Sequence, residues 1–197
     1  MDVEPIRIGR FVLTKMTAAD SEKYYHLSNN DDVMKYVTGY ALNRAQSDEM
    51  LRSILEEYGS DTYLGRYLIE VAESAELIGV AKLDRSGFDI EIGYRIRFEY
   101  WGKGIATEIA TGLIHFAKNN LRAANVIAFV NVDNAASVRV LEKAGMKNVE
   151  TMEDIDEVKY KFIYIPQKRN GLRKVLSLLV AMAVIALIVA LVSGWMD

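Results

Sequence analysis

The sequence predicts an α+β fold in which a mixed, mostly antiparallel central sheet is flanked by helices, with one added C-terminal transmembrane helix. Three observations lead to this prediction. Segments of alternating apolar and polar residues follow one another in hairpin-like succession, as antiparallel strands do. A helical pattern at 104–120 then links two apolar strands, as a parallel crossover requires. The segment 175–196 contains no charged side chain at all.

The first half of the chain alternates predicted strands with short helices. The alternation at 6–13 predicts a strand, and the cluster from Thr17 to Asp20 is typical of a helix start. Apolar spacing in 43–58 predicts a longer helix, which Gly59 is placed to end. The other predicted elements are helices at 20–28 and 32–37 and strands at 67–72, 77–83 and 88–96, with hairpin-like turns at 73–76 and 84–87.

The second half begins with the crossover helix and returns to strands. Asn134 is placed to cap a helix at 135–144, which Gly145 is placed to end. Further strands are predicted at 126–132, 148–151 and 158–165. The predicted organisation is therefore a domain at 1–165, a basic linker at 166–174 and a transmembrane helix at 175–196.

The C-terminal segment has the composition of a membrane span. About 20 apolar residues at ~1.5 Å each cross the ~30 Å hydrocarbon core of a bilayer. Four basic residues lie between 168 and 174, and only Asp197 follows the segment, so the domain is expected to face the cytoplasm from a single-pass C-terminal anchor. A buried or dimerising helix is the alternative, but such helices usually show a polar stripe. Small residues stand at every fourth position from Ala186 to Gly194 and allow close packing of two helices, so a homodimer stays an open alternative.

Composition excludes several classes of function. A net charge of −3 disfavours nucleic acid as a partner. The chain has no cysteine, which excludes disulfides, thiolate metal sites and a cysteine nucleophile. Its two histidines are too few for a typical zinc site, so no metal is expected.

The most informative stretch is 91–108, where a strand delivers a glycine-spaced turn into a helix start. Alternation from Ile90 to Ile96 has the two-residue period of a strand, and the turn that follows is Trp-Gly-Lys-Gly-Ile-Ala at 101–106. Backbone N–H groups that open a helix have no intrahelical partner, and the helix dipole favours an anion beside them. The turn therefore predicts a site for an anionic cofactor.

Two other phosphate-binding motifs fit this turn poorly. A Walker A loop needs Gly-x-x-x-x-Gly-Lys followed by Ser or Thr, which the sequence lacks. A dinucleotide fingerprint needs a third glycine and an early position in a parallel sheet. Here Thr107 stands where the third glycine would be, and antiparallel hairpins precede the turn.

These residues resemble the GNAT superfamily of N-acetyltransferases, and most of all its ribosomal-protein alanine and serine acetyltransferase branch. The motifs that carry the resemblance are Glu-Ile-Gly-Tyr at 91–94, Trp-Gly-Lys-Gly-Ile-Ala-Thr-Glu at 101–108 and Asn-Ala-Ala-Ser-Val-Arg-Val-Leu-Glu-Lys-Ala-Gly-Met at 134–146. The resemblance covers about residues 6–165. It implies acetyl-CoA as cosubstrate, with pyrophosphate on backbone N–H groups and pantetheine beside the strand end. The implied cofactor-binding residues are Tyr94, Ile96, Trp101, Gly102, Lys103, Gly104, Ile105, Ala106, Thr107 and Asn134.

Two positions depart from the superfamily pattern. Trp101 stands where Gln or Arg is usual, so the grip on the cofactor is expected to rest on the backbone and on Lys103. The tyrosine that many members use to protonate the leaving thiolate would fall at Leu141, which cannot donate a proton. The resemblance to the named branch implies Ser137 for that role, although a serine on a helix surface is structurally ordinary.

Glu91 is the candidate general base. An amine must lose a proton before it can attack a thioester, and the attack builds an oxyanion that backbone N–H groups can stabilise. Glu91 lies within the motif on the strand face opposite Ile90 and Ile92. The alternative is a solvated carboxylate that pairs with a neighbour such as Arg95 or Lys82.

Taken with the resemblance, the sequence predicts a membrane-tethered N-acetyltransferase acting on a primary amine of a protein N-terminus or a small molecule. Two alternatives stay open: a catalytically inactive binding or scaffold module with the same fold, and a membrane adaptor whose domain only senses acetyl-CoA. The predicted partners are the acceptor amine and the lipid bilayer.

Overall fold

One mixed sheet organises the part of the chain that the structure, a computed structural model, describes: residues 3–59, 62–154 and 157–166. Its strand order is β1-β2-β3-β4-β5-β6-β8-β7, and every neighbouring pair is antiparallel except β5 and β6. The strands are β1 (Ile6–Ile8), β2 (Phe11–Lys15), β3 (Gly65–Val71), β4 (Leu77–Ser86), β5 (Asp89–Ile96), β6 (Val126–Asn131), β7 (Met146–Glu153) and β8 (Val158–Tyr164).

Helices cover both faces of the sheet, because strand residues alternate between two apolar clusters. Ile69 faces a core shared with Ile109 and Leu113, whereas its neighbour Leu68 faces a smaller cluster with Tyr24 and residues of the third helix. The helices are α1 (Ser21–Ser28), α2 (Asp31–Met34), α3 (Arg44–Glu56), α4 (Ile105–Asn119) and α5 (Ala135–Lys143). The larger cluster takes in α4 and α5, and the smaller one takes in α1, α2 and α3.

The predicted mixed, mostly antiparallel sheet flanked by helices is confirmed, and so is the parallel crossover, since α4 connects the parallel strands β5 and β6. The predicted single strand at 6–13 is wrong in one respect. It is a hairpin of β1 and β2, with Gly9 at φ 54° in the connection. A left-handed backbone at this point reverses the chain and is easiest for glycine.

The predicted turn at 84–87 is also wrong. Strand β4 continues through Ser86, which pairs with Asp89, so the connection is the two-residue loop of Gly87 and Phe88. Gly87 has φ 62°, as the tight hairpin turns favoured by strand twist require. As a result Asp84 lies inside the sheet opposite Glu91.

Three other bounds differ from the prediction. The predicted strand at 148–151 is the longer β7, which pairs with β8 across an irregularity between Asn148 and Glu150. The predicted helix at 32–37 is the single turn α2, which ends at Met34. The predicted strand at 67–72 is β3, which begins two residues earlier, at Gly65.

Among the helices that the structure describes, none combines the length and apolarity needed to cross a bilayer. The predicted transmembrane helix at 175–196 and most of the linker at 166–174 lie outside the described residues. The domain boundaries at those positions therefore stay a prediction.

Candidate active site

Strands β5 and β6 diverge at the centre of the sheet. They pair only at Ile90 with Val126 and at Glu91 with Ile127. Beyond this point β5 continues to Ile96 and β6 to Asn131, but no further pair joins them. The gap is part of a cavity of about 1610 Å³ that is lined from both faces of the sheet. It leaves main-chain groups of the two strand ends available to a ligand.

The glycine-spaced turn leads directly into α4. Gly102 and Gly104 have φ 74° and 76°, and Gly104 is the residue that precedes the first turn of the helix. The first two amides that bond inside the helix are those of Thr107 and Glu108, which donate to the Gly104 carbonyl at 3.1 Å. Within the described chain, the amides of 102–106 have no protein acceptor.

This turn fits an anionic group. A Cβ built at Gly102 or Gly104 would meet no heavy atom within 4 Å, so it is the positive φ that requires glycine there, while the space beside the backbone is open. Five amides without protein acceptors at a helix N-terminus are a favourable place for a phosphate. The described residues thus fit the diphosphate of the coenzyme that the sequence predicts.

Two side chains of the turn, those of Trp101 and Lys103, make contacts with the end of β5 and with Tyr100. The Trp101 indole Nε1 donates to the Ile96 carbonyl at 2.8 Å, which ties the turn to the end of β5. Lys103 is exposed, and its Nζ lies 5.2 Å from the centroid of the Tyr100 ring. Lys103 is therefore the one predicted cofactor residue that does not line the cavity.

Glu91 lies on the cavity side of the sheet and makes an ion pair with Lys82. The Lys82 ammonium also contacts Asp84 at 3.3 Å. The carboxylate is 17% exposed, so it is partly shielded yet reaches the cavity. Glu91 thus pairs with Lys82, which is one of the two partners that the sequence suggests for a solvated carboxylate. Glu91 nevertheless lines the cavity.

The sequence prediction missed a second part of this charged cluster. Asp84 accepts a hydrogen bond from Arg66 at 2.6 Å and another from the Tyr58 hydroxyl. The pKa of Tyr58 is raised above its ordinary range, mainly by burial and to a smaller extent by the hydrogen bond to Asp84. Tyr58 follows α3, Arg66 lies on β3 and Asp84 lies on β4. Their spacing along the chain therefore does not show that these side chains meet. The alternation of Lys82 and Asp84 along β4 was the available indication.

Ser137 lies in the first turn of α5, where its amide donates to the Asn134 side chain at 3.0 Å. Asn134 therefore caps α5 as predicted, and both residues line the cavity. Leu141 is 2% exposed and belongs to the apolar core. No proton donor stands at that position.

Tyr94 is a buried phenol beside Ser137. Its hydroxyl has no hydrogen-bond partner among the described residues. Burial raises the pKa of Tyr94 to about 12, and the nearby Ser137 side chain offsets part of the rise. The two hydroxyls are close enough to interact but do not form a well-aligned hydrogen bond. An unpaired buried hydroxyl is rare enough to call for an explanation.

The cavity thus brings together all the predicted site residues except Lys103. From one face come Tyr94, Ile96, the α4 turn and the start of α5. From the other face come Glu91 and its charged neighbours. One cavity therefore contains an anion-binding turn, a gap between two strands and the Glu91 carboxylate. This combination suits acyl transfer between two substrates.

Comparison with known proteins identifies the family. Residues 10–147 match the acetyltransferase (GNAT) domain. The uncharacterized N-acetyltransferase YoaA of Bacillus subtilis (strain 168) is 30% identical over 148 residues, which are 72% of this chain and 82% of that protein. The domain match at 10–147 includes the strand, the turn and the start of α5 that form the cavity.

Solved structures agree at the level of the fold. A GNAT-family acetyltransferase from Bacillus anthracis has a TM-score of 0.71 at 19% identity, covering 82% of this chain and 98% of that chain. The ribosomal L7/L12 alpha-N-protein acetyltransferase RimL, solved in complex with coenzyme A, has a TM-score of 0.70 at 16% identity over 82% and 98%. The chain belongs to the GNAT family and is an acetyl-CoA-dependent acetyltransferase.

Proposed function

We propose that this acetyltransferase moves the acetyl group of acetyl-CoA directly to a primary amine that enters from the side of Glu91. The observation that carries the proposal is one cavity that runs from the free amides of the α4 turn, through the gap between β5 and β6, to the Glu91 carboxylate. A thioester that lies in this gap presents its carbonyl carbon to an amine on the far side. Direct transfer then needs no covalent intermediate on the protein.

The chemistry asks for one base and one nucleophile. An alkylammonium cannot attack until it loses a proton, which Glu91 accepts directly or through a water. The amine nitrogen then attacks the thioester carbon, the C–N bond forms, and the carbonyl oxygen takes up negative charge. Collapse of this oxyanion breaks the C–S bond and releases the thiolate of coenzyme A. The nitrogen, which carries a positive charge after the attack, gives up its second proton, and the thiolate takes one up. The product is an acetamide and free coenzyme A.

Tyr94 and Ser137 are the side chains placed to assist the leaving thiolate. A thiol has a pKa near ~8.5, whereas the pKa of Tyr94 is raised to about 12 by burial. Full proton transfer from this phenol would be uphill by about 5 kcal/mol. The phenol therefore serves as a neutral hydrogen-bond donor toward the sulfur or the oxyanion, with Ser137 beside it, and the proton comes from water.

The membrane tether and the class of acceptor belong to the same proposal. The charge-free segment 175–196, preceded by basic residues, supports a C-terminal anchor with the domain on the cytoplasmic side. The acceptor is then a protein N-terminus or a small-molecule amine that reaches the domain near the membrane. Removing residues 172–197 should free the protein from membranes while acetyl transfer to a water-soluble amine stays within about twofold of the full chain.

An inactive binding module is the second candidate, favoured by the buried Leu141 at the usual position of the proton donor. One experiment separates the two. The full chain is incubated with acetyl-CoA and a panel of primary amines, with release of free thiol and product mass as readouts. Saturating acetyl-CoA at about a hundred times its Kd should stabilise the fold by roughly 3 kcal/mol. Binding without transfer to any amine favours the module, and absence of binding contradicts both candidates.

A further inference from the structure

Arg95 occupies the amine side of the cavity. It lies on β5 on the same face as Glu91, four residues further along, and pairs across the sheet with Val80. Its guanidinium carbon is 5.4 Å from the centroid of the Tyr24 ring, and Nη1 donates to the Met34 sulfur at 2.7 Å. Both Arg95 and Tyr24 line the cavity.

The Arg95 guanidinium has no anionic partner among the described residues. Its Nε is buried without a hydrogen-bond acceptor, and so is the Tyr24 hydroxyl beside it. The other half-buried cations on this face differ in that respect. Arg66 is paired with Asp84 at 2.6 Å, and Lys82 contacts both Asp84 and Glu91.

The interactions that Arg95 does make are weak compensation for a partly buried charge. Withdrawing an ion from water is costly unless it is paired. A tyrosine face returns only part of that cost, and a thioether is a weak acceptor. A carboxylate would satisfy the guanidinium through parallel N–H···O bonds, the geometry that this group favours. The hydroxyl of Tyr24, whose ring lies against the guanidinium, is a further donor without a partner among the described residues.

We propose that Arg95 and Tyr24 form a subsite for a carboxylate carried by the acceptor amine, an inference that rests on the proposed acetyl transfer. Four residues of strand separate the Arg95 and Glu91 backbones by roughly 13 Å. An acceptor whose amine meets Glu91 and whose carboxylate meets Arg95 is therefore of short-peptide length rather than a single α-amino acid.

The test compares acceptors that differ only in this charge. Diglycine, triglycine and tetraglycine are offered to the full chain as free acids and as C-terminal carboxamides. We expect kcat/KM for the free acid to exceed that of the carboxamide by roughly ten- to a hundredfold for the peptide that spans the site, as hydrogen bonds to a charged group allow. Equal values for acid and carboxamide at every length would overturn the inference and leave acetyl transfer standing.

Three variants locate the effect. Arg95→Met keeps the volume and should reduce the acid preference to within about twofold, because the variant cannot donate to a carboxylate. Tyr24→Phe removes only the hydroxyl and should reduce the preference by roughly threefold. Arg97→Met is the matched control, because Arg97 also lies over a tyrosine ring but bonds to the Leu77 carbonyl and to Glu99, outside the cavity. It should keep the full preference.

Peptide binding, measured by calorimetry on the same variants, separates the two proposals. Tighter binding of acids than of carboxamides that depends on Arg95, without any acetylation, would support the subsite and contradict acetyl transfer to these amines. Slower turnover of acid and carboxamide alike in Arg95→Met would show a purely structural role and overturn the subsite. Arg95-dependent acetylation of phosphoethanolamine above that of the best peptide acid would overturn the carboxylate assignment.

Discussion

The two sides of the cavity are built in opposite ways. The cofactor side is made mostly of backbone, from one continuous stretch at 101–107 with two glycines at positive φ. The side that we propose for the amine, called the amine side, is made of charged and aromatic side chains from α1, β3, β4, β5 and the turn after α3. Its groups are Tyr24, Tyr58, Arg66, Lys82, Asp84, Glu91 and Arg95.

This difference shows which half of a transferase can vary. Backbone amides bind a diphosphate whatever the neighbouring side chains are, so Trp101 can replace the usual residue and still hold the turn through the Ile96 carbonyl. The amine side depends on the identity of each side chain and on the register that brings them together. We therefore expect a single substitution there to change the acceptor or the chemistry while the coenzyme still binds.

The largest expected effect tests the amine side. Glu91→Gln keeps the shape of the side chain but removes the base, so kcat should fall by roughly 10²- to 10⁴-fold with the Kd for acetyl-CoA unchanged. Glu70→Gln is the matched control, since Glu70 is a strand carboxylate of similar exposure paired with Lys23 outside the cavity. Stopped-flow turnover and calorimetry are the measurements. Equal kcat in both variants would remove Glu91 from the mechanism.

The next effect tests the cofactor side. Gly104→Ala adds a methyl group at a residue with positive φ, among the free backbone amides of 102–106 that we propose bind the diphosphate. The Kd for acetyl-CoA should therefore rise by roughly tenfold or more. Gly87→Ala carries a similar backbone cost, because Gly87 has φ 62° and open space around it, but it lies in the β4–β5 loop. Both variants should lose comparable stability, and Gly104→Ala alone should lose affinity. If both variants lose affinity, the higher Kd reflects the loss of stability and not the backbone amides of 102–106.

The smallest effect concerns the group between the two sides. Burial raises the pKa of Tyr94 from 10.0 to about 12 in the folded protein, so above pH 10 the unfolded chain releases this proton first. The phenol thus lowers stability as the pH rises from 10 toward 12, by about 1 kcal/mol near pH 11, and contributes no such loss at neutral pH. Tyr94→Phe should remove that part of the alkaline loss in urea unfolding. An identical alkaline profile in Tyr94→Phe would contradict a buried phenol.

The cofactor side could be predicted from the sequence because its parts are neighbours along the chain. The strand at 88–96, the turn and α4 are found with small changes of bounds, and Asn134 caps α5 as expected. The amine side was largely missed. The sequence predicts a turn at Asp84, and no local pattern singles out Arg66 or Tyr24, because cross-strand register and helix packing decide which of these groups meet.

The sequence by itself determined that a strand, a glycine-spaced turn and a helix follow in this order, since local periodicity and the left-handed tolerance of glycine act over a few residues. Only the tertiary structure decided that β5 and β6 separate after two pairs, and that among the described residues the buried Tyr94 hydroxyl has no hydrogen-bond partner and Arg95 has no anionic partner. Those features depend on contacts between residues far apart in the chain. Their geometry is fixed by packing on both faces of one sheet, which no local pattern encodes.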